Sequence, residues 1–454
     1  MIGTQGARYA GTRAANIARS KEDRVAALDQ RHLEAVERMV DVLGTMKGAA
    51  MKIGQLASFI DTDFIPEDYR ELYQEKLSKL RAEAPPMPWK KVRKVLEEEW
   101  DGPPEELFED FEKEASAAAS IGQVHKAVLP DGRTVAVKIQ YPGVAAALRA
   151  DMQNAGMLLR MAKALAPGLD ARAAAAELRE RVLEELDYEL EAQNQRTFAR
   201  AYRGHPFIYV PDVVTRLSTT RVLVSEWVDG MKFDDVKQLP QEERDRFGEI
   251  VYRFCFGSIY HLQHFNADAH PGNYLLLEDG RVAFIDFGMT KQLDKEQIEL
   301  EIAALEAAFA EDPERLRLAL HDLGFIRNPK RVDAERLMKH VQEVGGWYMR
   351  DEEVRIDSQL VMRAIAAVSD PRAGFYDLWR GENLPADEMM GRRMESGLLA
   401  VLGQLQAGRN WYRIGREWWF AEEPATELGR EEWAYFESRG ERRTRKFSAR
   451  RAST

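Results

Sequence analysis

Cysteine is almost absent: Cys255 is the only one in 454 residues. A lone thiol can neither close an intrachain disulfide nor build a cysteine-based zinc site, and it suits a reducing compartment. Long apolar runs are also missing. No stretch of about 18 apolar residues occurs, and the first residues lack a hydrophobic core ahead of a small-residue cleavage site. The expected location is therefore cytoplasmic, without signal peptide or transmembrane helix. Cations are the minority charge: 65 Lys and Arg against 76 Asp and Glu leave a net −11. That argues against broad nucleic-acid binding, which needs clustered cations along a phosphate backbone. Nor is there the apolar poverty of a disordered chain, since 45% of the residues are hydrophobic.

At about 100–200 residues per domain the chain makes two or three units. Residues 1–40 read as a helical segment, made locally basic by Arg8, Arg13, Arg19 and Arg24. In the next stretch, 41–110, Leu43, Met46, Ala50, Ile53, Ala57 and Ile60 recur at helical spacing. On another face Gly44, Gly48 and Lys52 stand four apart with Gln55 three further on, so a glycine strip open to close backbone approach leads to two polar groups. Pro85, Pro86 and Pro88 end that helix in a linker.

Residues 111–228 read as a small mixed lobe. An Ala/Ser-rich loop precedes a hairpin of Val124–Val128 and Thr134–Gln140 around Pro130-Asp131-Gly132, then come a helix from Ala171 to Phe198 and strands across Val210–Val228. Residues 229–330 are mostly helical, with one hairpin turning at Glu278-Asp279-Gly280-Arg281. Residues 331–430 continue helical, and Trp411, Tyr412, Trp418, Trp419 and Phe420 are expected to pack into the body. The segment 431–454, rich in arginine from Arg439 to Arg451, reads as a disordered basic tail.

The strongest chemical signal is Phe265-Asn266-Ala267-Asp268-Ala269-His270-Pro271-Gly272-Asn273, followed by the hairpin and then Asp286-Phe287-Gly288. Phosphoryl transfer needs a carboxylate near the nucleophile and oxygen ligands that hold Mg²⁺ against the phosphates. Asp268 suits the first role, while Asn273 and Asp286 suit the metal. Upstream, alternation along Val135-Ala136-Val137-Lys138-Ile139 puts Ala136 and Lys138 on one strand face, so Lys138 can face a ligand and orient phosphates. Ala117, Ala118, Ala119 and Ser120 stand where kinases carry a glycine-rich phosphate loop, and alanine makes such a loop stiffer. Glu185, Asp187 and Glu191 are candidates for an ion pair with Lys138. Residues two apart on a helix point in roughly opposite directions, so Glu185 and Asp187 cannot share that job.

Together these residues resemble the UbiB (AarF) family of atypical protein-kinase-like proteins over roughly residues 40–330. Lys52-Ile53-Gly54-Gln55, Ala117-Ala118-Ala119-Ser120, Glu185-Leu186-Asp187, Asp268-Ala269-His270-Pro271-Gly272-Asn273 and Asp286-Phe287-Gly288 match its motifs in order. Glu226-Trp227-Val228-Asp229-Gly230 is similar to the hinge that pairs with adenine, through Glu226 and Val228. The resemblance implies an α+β, two-lobed protein-kinase-like fold, with the Lys52–Gln55 helix as an N-terminal extension over the nucleotide cleft and a helical C-terminal extension. It further implies binding of ATP or ADP with Mg²⁺, and a role in prenylquinone or other isoprenoid-lipid metabolism. Asn266 and Ala269 depart from the family's commoner His and Pro. No extended activation loop follows Gly288, which argues against ordinary peptide phosphorylation. Two alternatives stay open: a small-molecule phosphotransferase on the same fold, and a nucleotide-regulated scaffold without turnover. Contact with an anionic membrane, if made, would be peripheral and run through the basic regions at 8–24 and 439–451.

Overall fold

In the computed structural model, which describes residues 87–119, 121–149, 183–369, 375, 378 and 389–440, the alternation of strand β4 (Thr134–Gln140) is realised directly. Val135, Val137 and Ile139 are fully buried, and Ala136 and Lys138 take the other face. The expectations for residues 1–40, Lys52, Gln55, Ser120 and the tail beyond Gly440 lie outside the described residues.

β4 is the centre of an antiparallel sheet in the order β1 (Asp110–Phe111), β3 (Gly122–Val128), β4, β6 (Val222–Glu226), with β2 (Ala117–Ala119) also paired to β3. Helix α1 (Trp89–Trp100) lays Val92, Val95 and Leu96 against the buried valines of this sheet. The Ala-rich segment expected as a loop is the strand β2, which turns straight back onto β3 with Ala119 opposite Gly122. Gly122 also lets β3 approach β4 closely: a β-carbon there would stand 2.1 Å from the Ile139 carbonyl oxygen of β4. Gly122→Ala is therefore expected to lower the unfolding free energy by about 1–3 kcal/mol through overpacking, measured by urea denaturation.

The helix expected through Phe198 is broken within its described part. Asp187 has extended backbone angles, and its carboxylate accepts from the amides of Glu189 and Leu190, so α2 (Tyr188–Ala201) starts afresh there. A capping carboxylate offers the backbone an alternative to continuing the preceding turn.

The second lobe is built on α3 (Gln241–Tyr252), a wider turn at Arg253–Gly257 and a short helix Ser258–Leu262. Two small strand pairs flank the Asp268–Asn273 and Asp286–Gly288 segments: β8 (His264–Asn266) with β11 (Thr290–Gln292), and the expected hairpin β9 (Tyr274–Leu276) with β10 (Val282–Phe284). Strand β5 (Ile208–Tyr209) lies parallel to β10, and β7 (Met231–Lys232) antiparallel to β9. Helices α4 (Lys295–Phe309), α5 (Pro313–Asp322) and α6 (Ala334–Gly345) follow, then α7 (Ser358–Ser369), α8 (Met389–Leu405), α9 (Trp411–Trp419) and α10 (Glu427–Ser438).

Trp411, Trp418 and Trp419 are buried in the same core as Phe254, Phe284 and Phe287. The C-terminal helices are thus part of the lobe's interior. α10 also runs into the stretch expected to be disordered, because Leu428, Glu432 and Phe436, four apart, bury one helical face. A fully buried guanidinium ties the assembly. Arg253 contacts Glu249, Glu417 and Glu432 at 2.9 Å each and donates to the Thr426 hydroxyl at 2.9 Å. Among the described residues no helix is long and apolar enough to cross a membrane.

Candidate nucleotide and phosphoryl-transfer site

Because Val135, Val137 and Ile139 claim the core, Lys138 projects into the space between the lobes. Its ammonium lies 2.7 and 3.0 Å from the two carboxylate oxygens of Glu191 and 3.2 Å from Asp286 Oδ2, with the Tyr188 ring 5.1 Å away. Burial disfavours the ammonium charge, but Asp286 and Glu191 outweigh it and hold Lys138 well above the ordinary lysine value. Burial pushes the Glu191 carboxyl up to about 7, against the pull of Lys138.

Of the three acids considered for Lys138, Glu191 makes the ion pair. The helix break at Asp187 sets this choice, since the restarted helix turns Glu191 inward in its first turn. Asp187 is occupied as the cap, and Glu185, buried just before the break, lies beside the pair. A β-carbon on Gly288 would find Asp286 Oδ1 and Glu185 Oε2 at 3.4 Å and Glu191 Oε2 at 3.6 Å. Three carboxylates thus converge on a residue that has no side chain.

Asn266 joins the two halves of the motif. Its amide donates to the Asp286 carbonyl at 2.6 Å, and its Oδ1 accepts from the Asp268 amide at 2.9 Å. The departure from histidine at this position is therefore filled by a side chain that donates and accepts at once. Asn273 Nδ2 donates to Asp268 Oδ2 at 2.9 Å, and the Asn273 carbonyl accepts from the Ile285 amide at 3.2 Å. Gly288 N donates to Asp286 Oδ1 at 3.0 Å, which fixes the carboxylate toward Lys138.

Sequence reasoning missed Arg393. Its Nη2 lies 2.6 Å from Asp268 Oδ1, reaching across from α8. The close approach of this helix rests on Gly397, where a β-carbon would stand 3.1 Å from both the Ala269 β-carbon and carbonyl oxygen. The small side chain of Ala269 fits that contact. Arg393 is 125 residues from Asp268, and one arginine among many carries no local signal.

In the segment similar to the hinge, the Glu226 side chain is engaged within the protein. Its carboxylate accepts from the Tyr209 hydroxyl at 2.9 Å and the Asp212 amide at 3.0 Å, holding the strand behind the hinge. Val228 is half-buried in the connection from β6 to β7. Ala136, between Lys126 and Ser225 in the sheet register, shares the face of Lys138, and Ala117 and Ala118 are exposed at the edge.

The donors fit a magnesium ion. Asp286 and Asn273 offer hard oxygens, and no cage of three His, Cys, Asp or Glu forms among the described residues. Mg²⁺ is usually held by one or two carboxylates together with phosphates and water.

A two-lobed fold with a lysine–glutamate pair and paired acid–amide motifs defines a protein-kinase-like protein. More specifically, the model of the ABC1 atypical kinase-like domain matches residues 79–320, just over half of the chain, and the chain belongs to this UbiB/AarF family of atypical kinases. It is similar to the mitochondrial atypical kinase COQ8B of Rattus norvegicus, 36% identical over 291 residues that cover 64% of this chain and 54% of the rat protein. Similar too is the mitochondrial atypical kinase COQ8 of Saccharomyces cerevisiae, 33% identical over 259 residues, 56% of this chain and 50% of the yeast protein. The chain thus spans about half the length of these curated relatives. Among solved structures, Rv3197 of Mycobacterium tuberculosis, captured in complex with erythromycin, is 34% identical, with a TM-score of 0.62 over 89% of this chain and 100% of that one. Two of these relatives are named mitochondrial, so the cytoplasmic expectation rests on the sequence alone.

Proposed function

We propose that this chain is an atypical kinase or ATPase that binds ATP with Mg²⁺ between a lobe at 111–228 and a lobe at 229–330. The observation that carries the reading is the contact of Lys138 with both Glu191 and Asp286, beside Asp268 and Asn273. Lys138 would orient the phosphates and Glu191 would hold its ammonium in place. Asp286 and Asn273 would hold the metal, which when bound neutralises phosphate charge. Main-chain groups at 226 and 228 would receive the adenine edge, since the Glu226 side chain is engaged elsewhere. Asp268 would take the proton of the attacking hydroxyl or water once Arg393 gives way. Lys52, Gln55 and Ser120 remain candidates through the family motifs they match.

The substrate context we propose is prenylquinone or other isoprenoid-lipid metabolism. It is supported by the COQ8 relatives. A peripheral membrane contact through the basic regions is compatible with it. A scaffold that binds nucleotide without turnover is the second reading, favoured by the Arg393–Asp268 contact, which occupies the proposed base.

Asp286→Asn is expected to abolish the Mg²⁺-dependent part of the ATP-induced rise in melting temperature while leaving nucleotide-free melting close to wild type. A Mg²⁺-dependent rise of wild-type size in the variant would remove Asp286 from the metal site.

A further inference from the structure

We propose that the helical lobe holds a second binding site, for a compact amphipathic amine, in a cavity behind the catalytic loop. The cavity, about 210 Å³, lies among α4, α5, α6 and α8, with Phe265, Leu320, Val341, Met394 and Trp419 forming much of its apolar wall. An apolar cavity of about 150 Å³ accepts benzene, so this one has room for a ring carrying a short branched substituent.

Its polar end is acidic. Glu301 of α4 and Glu395 of α8 both line the cavity, and Glu395 Oε1 accepts from the Tyr348 hydroxyl at 3.1 Å. The Tyr260 hydroxyl on the same wall is held well above its ordinary value by burial and then by Glu301, with a smaller part from Glu395. Burial pushes Glu395 itself up, and the Arg392 guanidinium, stacked 5.2 Å over the Phe325 ring, offsets only part of that. His340, the remaining basic group at the wall, is held neutral near pH 7 because burial pushes it down to about 4.

These groups select the ligand's charge. An anion would meet the Glu301 and Glu395 carboxylates with Arg392 as the one charged cation among the described residues of the wall, and a neutral polar group would add nothing to the compensation that Arg392 and Tyr348 give Glu395. An ammonium can donate to Glu395 while its apolar body lies against the rings of Tyr260, Tyr348 and Trp419. The site is separate from the nucleotide cleft, though the two share α8. Arg392, Met394 and Glu395 line the cavity, whereas Arg393 between them reaches Asp268. Consecutive residues on a helix point about 100° apart, which lets one turn serve both sites.

The test uses the full chain without nucleotide, so that it stands apart from the proposed ATP site. Calorimetric titration would compare para-tert-butylbenzylamine with para-tert-butylbenzyl alcohol and para-tert-butylbenzoate, three ligands of nearly one shape and different charge. The amine is expected to bind about 10-fold or more tighter than the alcohol, the difference of one charge-assisted hydrogen bond, with no binding of the benzoate. Glu395→Gln, nearly isosteric, should remove the preference for the amine. Ala308→Leu, which fills the cavity without touching its charges, should remove binding of both amine and alcohol. The proposal is overturned if the wild-type chain does not bind the amine, if the benzoate binds as well, or if the amine preference survives in Glu395→Gln. Should Ala308→Leu fail to fold, the Glu395→Gln comparison decides alone.

Discussion

Asp268→Asn is expected to reduce ATP turnover by about 10²–10⁴-fold, the usual contribution of a positioned general base, while nucleotide binding and melting stay close to wild type. The expectation follows from where the carboxylate sits. Asp268 Oδ2 is held by Asn273 and its amide by Asn266, while Lys138 contacts Asp286 and Glu191. An amide at 268 keeps the shape of the loop and leaves Lys138 and the proposed metal donors intact. It removes the group able to take a proton, together with the charge that attracts Arg393. Steady-state ATP hydrolysis read beside nucleotide-dependent melting separates the two effects. Wild-type turnover in the variant would refute the assignment, and loss of binding without a specific loss of turnover would recast Asp268 as a nucleotide contact.

The largest expected change in stability comes from Arg253→Met, at about 3–5 kcal/mol or enough to prevent folding. Arg253 is fully buried, and so are Glu249, Glu417 and Glu432, all within 2.9 Å contacts of its guanidinium. Methionine fills much of the volume and leaves those carboxylates in the interior without their shared cation. Burial alone would raise the Glu249 carboxyl, but Arg253, Thr426 and Arg409 together hold it below its ordinary value. In the wild-type protein Glu249 therefore contributes stability that is present above its unfolded pKa and lost as pH falls through the lower folded one. In Arg253→Met burial acts on Glu249 without its largest opposing charge, so its folded pKa rises above the unfolded one and it gains protons more readily. The deficit against wild type should shrink as pH is lowered from 7 toward 5, as read by urea denaturation at each pH. A deficit under about 1 kcal/mol at pH 7 would mean that the network adds little to holding α9 and α10 on the lobe.

Much of the site was legible because its chemistry is packed into short motifs. Asp268, Asn273 and Asp286 lie within one loop–hairpin–loop unit, and period-two alternation was enough to put Lys138 opposite the buried valines. The general tendency of aromatic residues to mark core likewise pointed to Trp411, Trp418 and Trp419, which are buried in it. The choice of Glu191 over Glu185 was not legible. It depends on Asp187 capping a new helix, a competition between side chain and backbone that helical periodicity does not register. The alanine segment pairs as a strand with β3, a partnership made only once the sheet exists.

By itself, then, the sequence determined which groups are available for phosphoryl-transfer chemistry and, through alternation along β4, which way Lys138 points. Only the tertiary structure decided what each group touches. The Arg393–Asp268 pair, the ring of glutamates around Arg253 and the turn of Glu226 away from the cleft join residues by 125, up to 179 and 17 positions respectively. Partners brought together by packing share no local pattern. Their selection rests on which buried charges find compensation when the helices dock, and that free energy is a property of the assembled lobe.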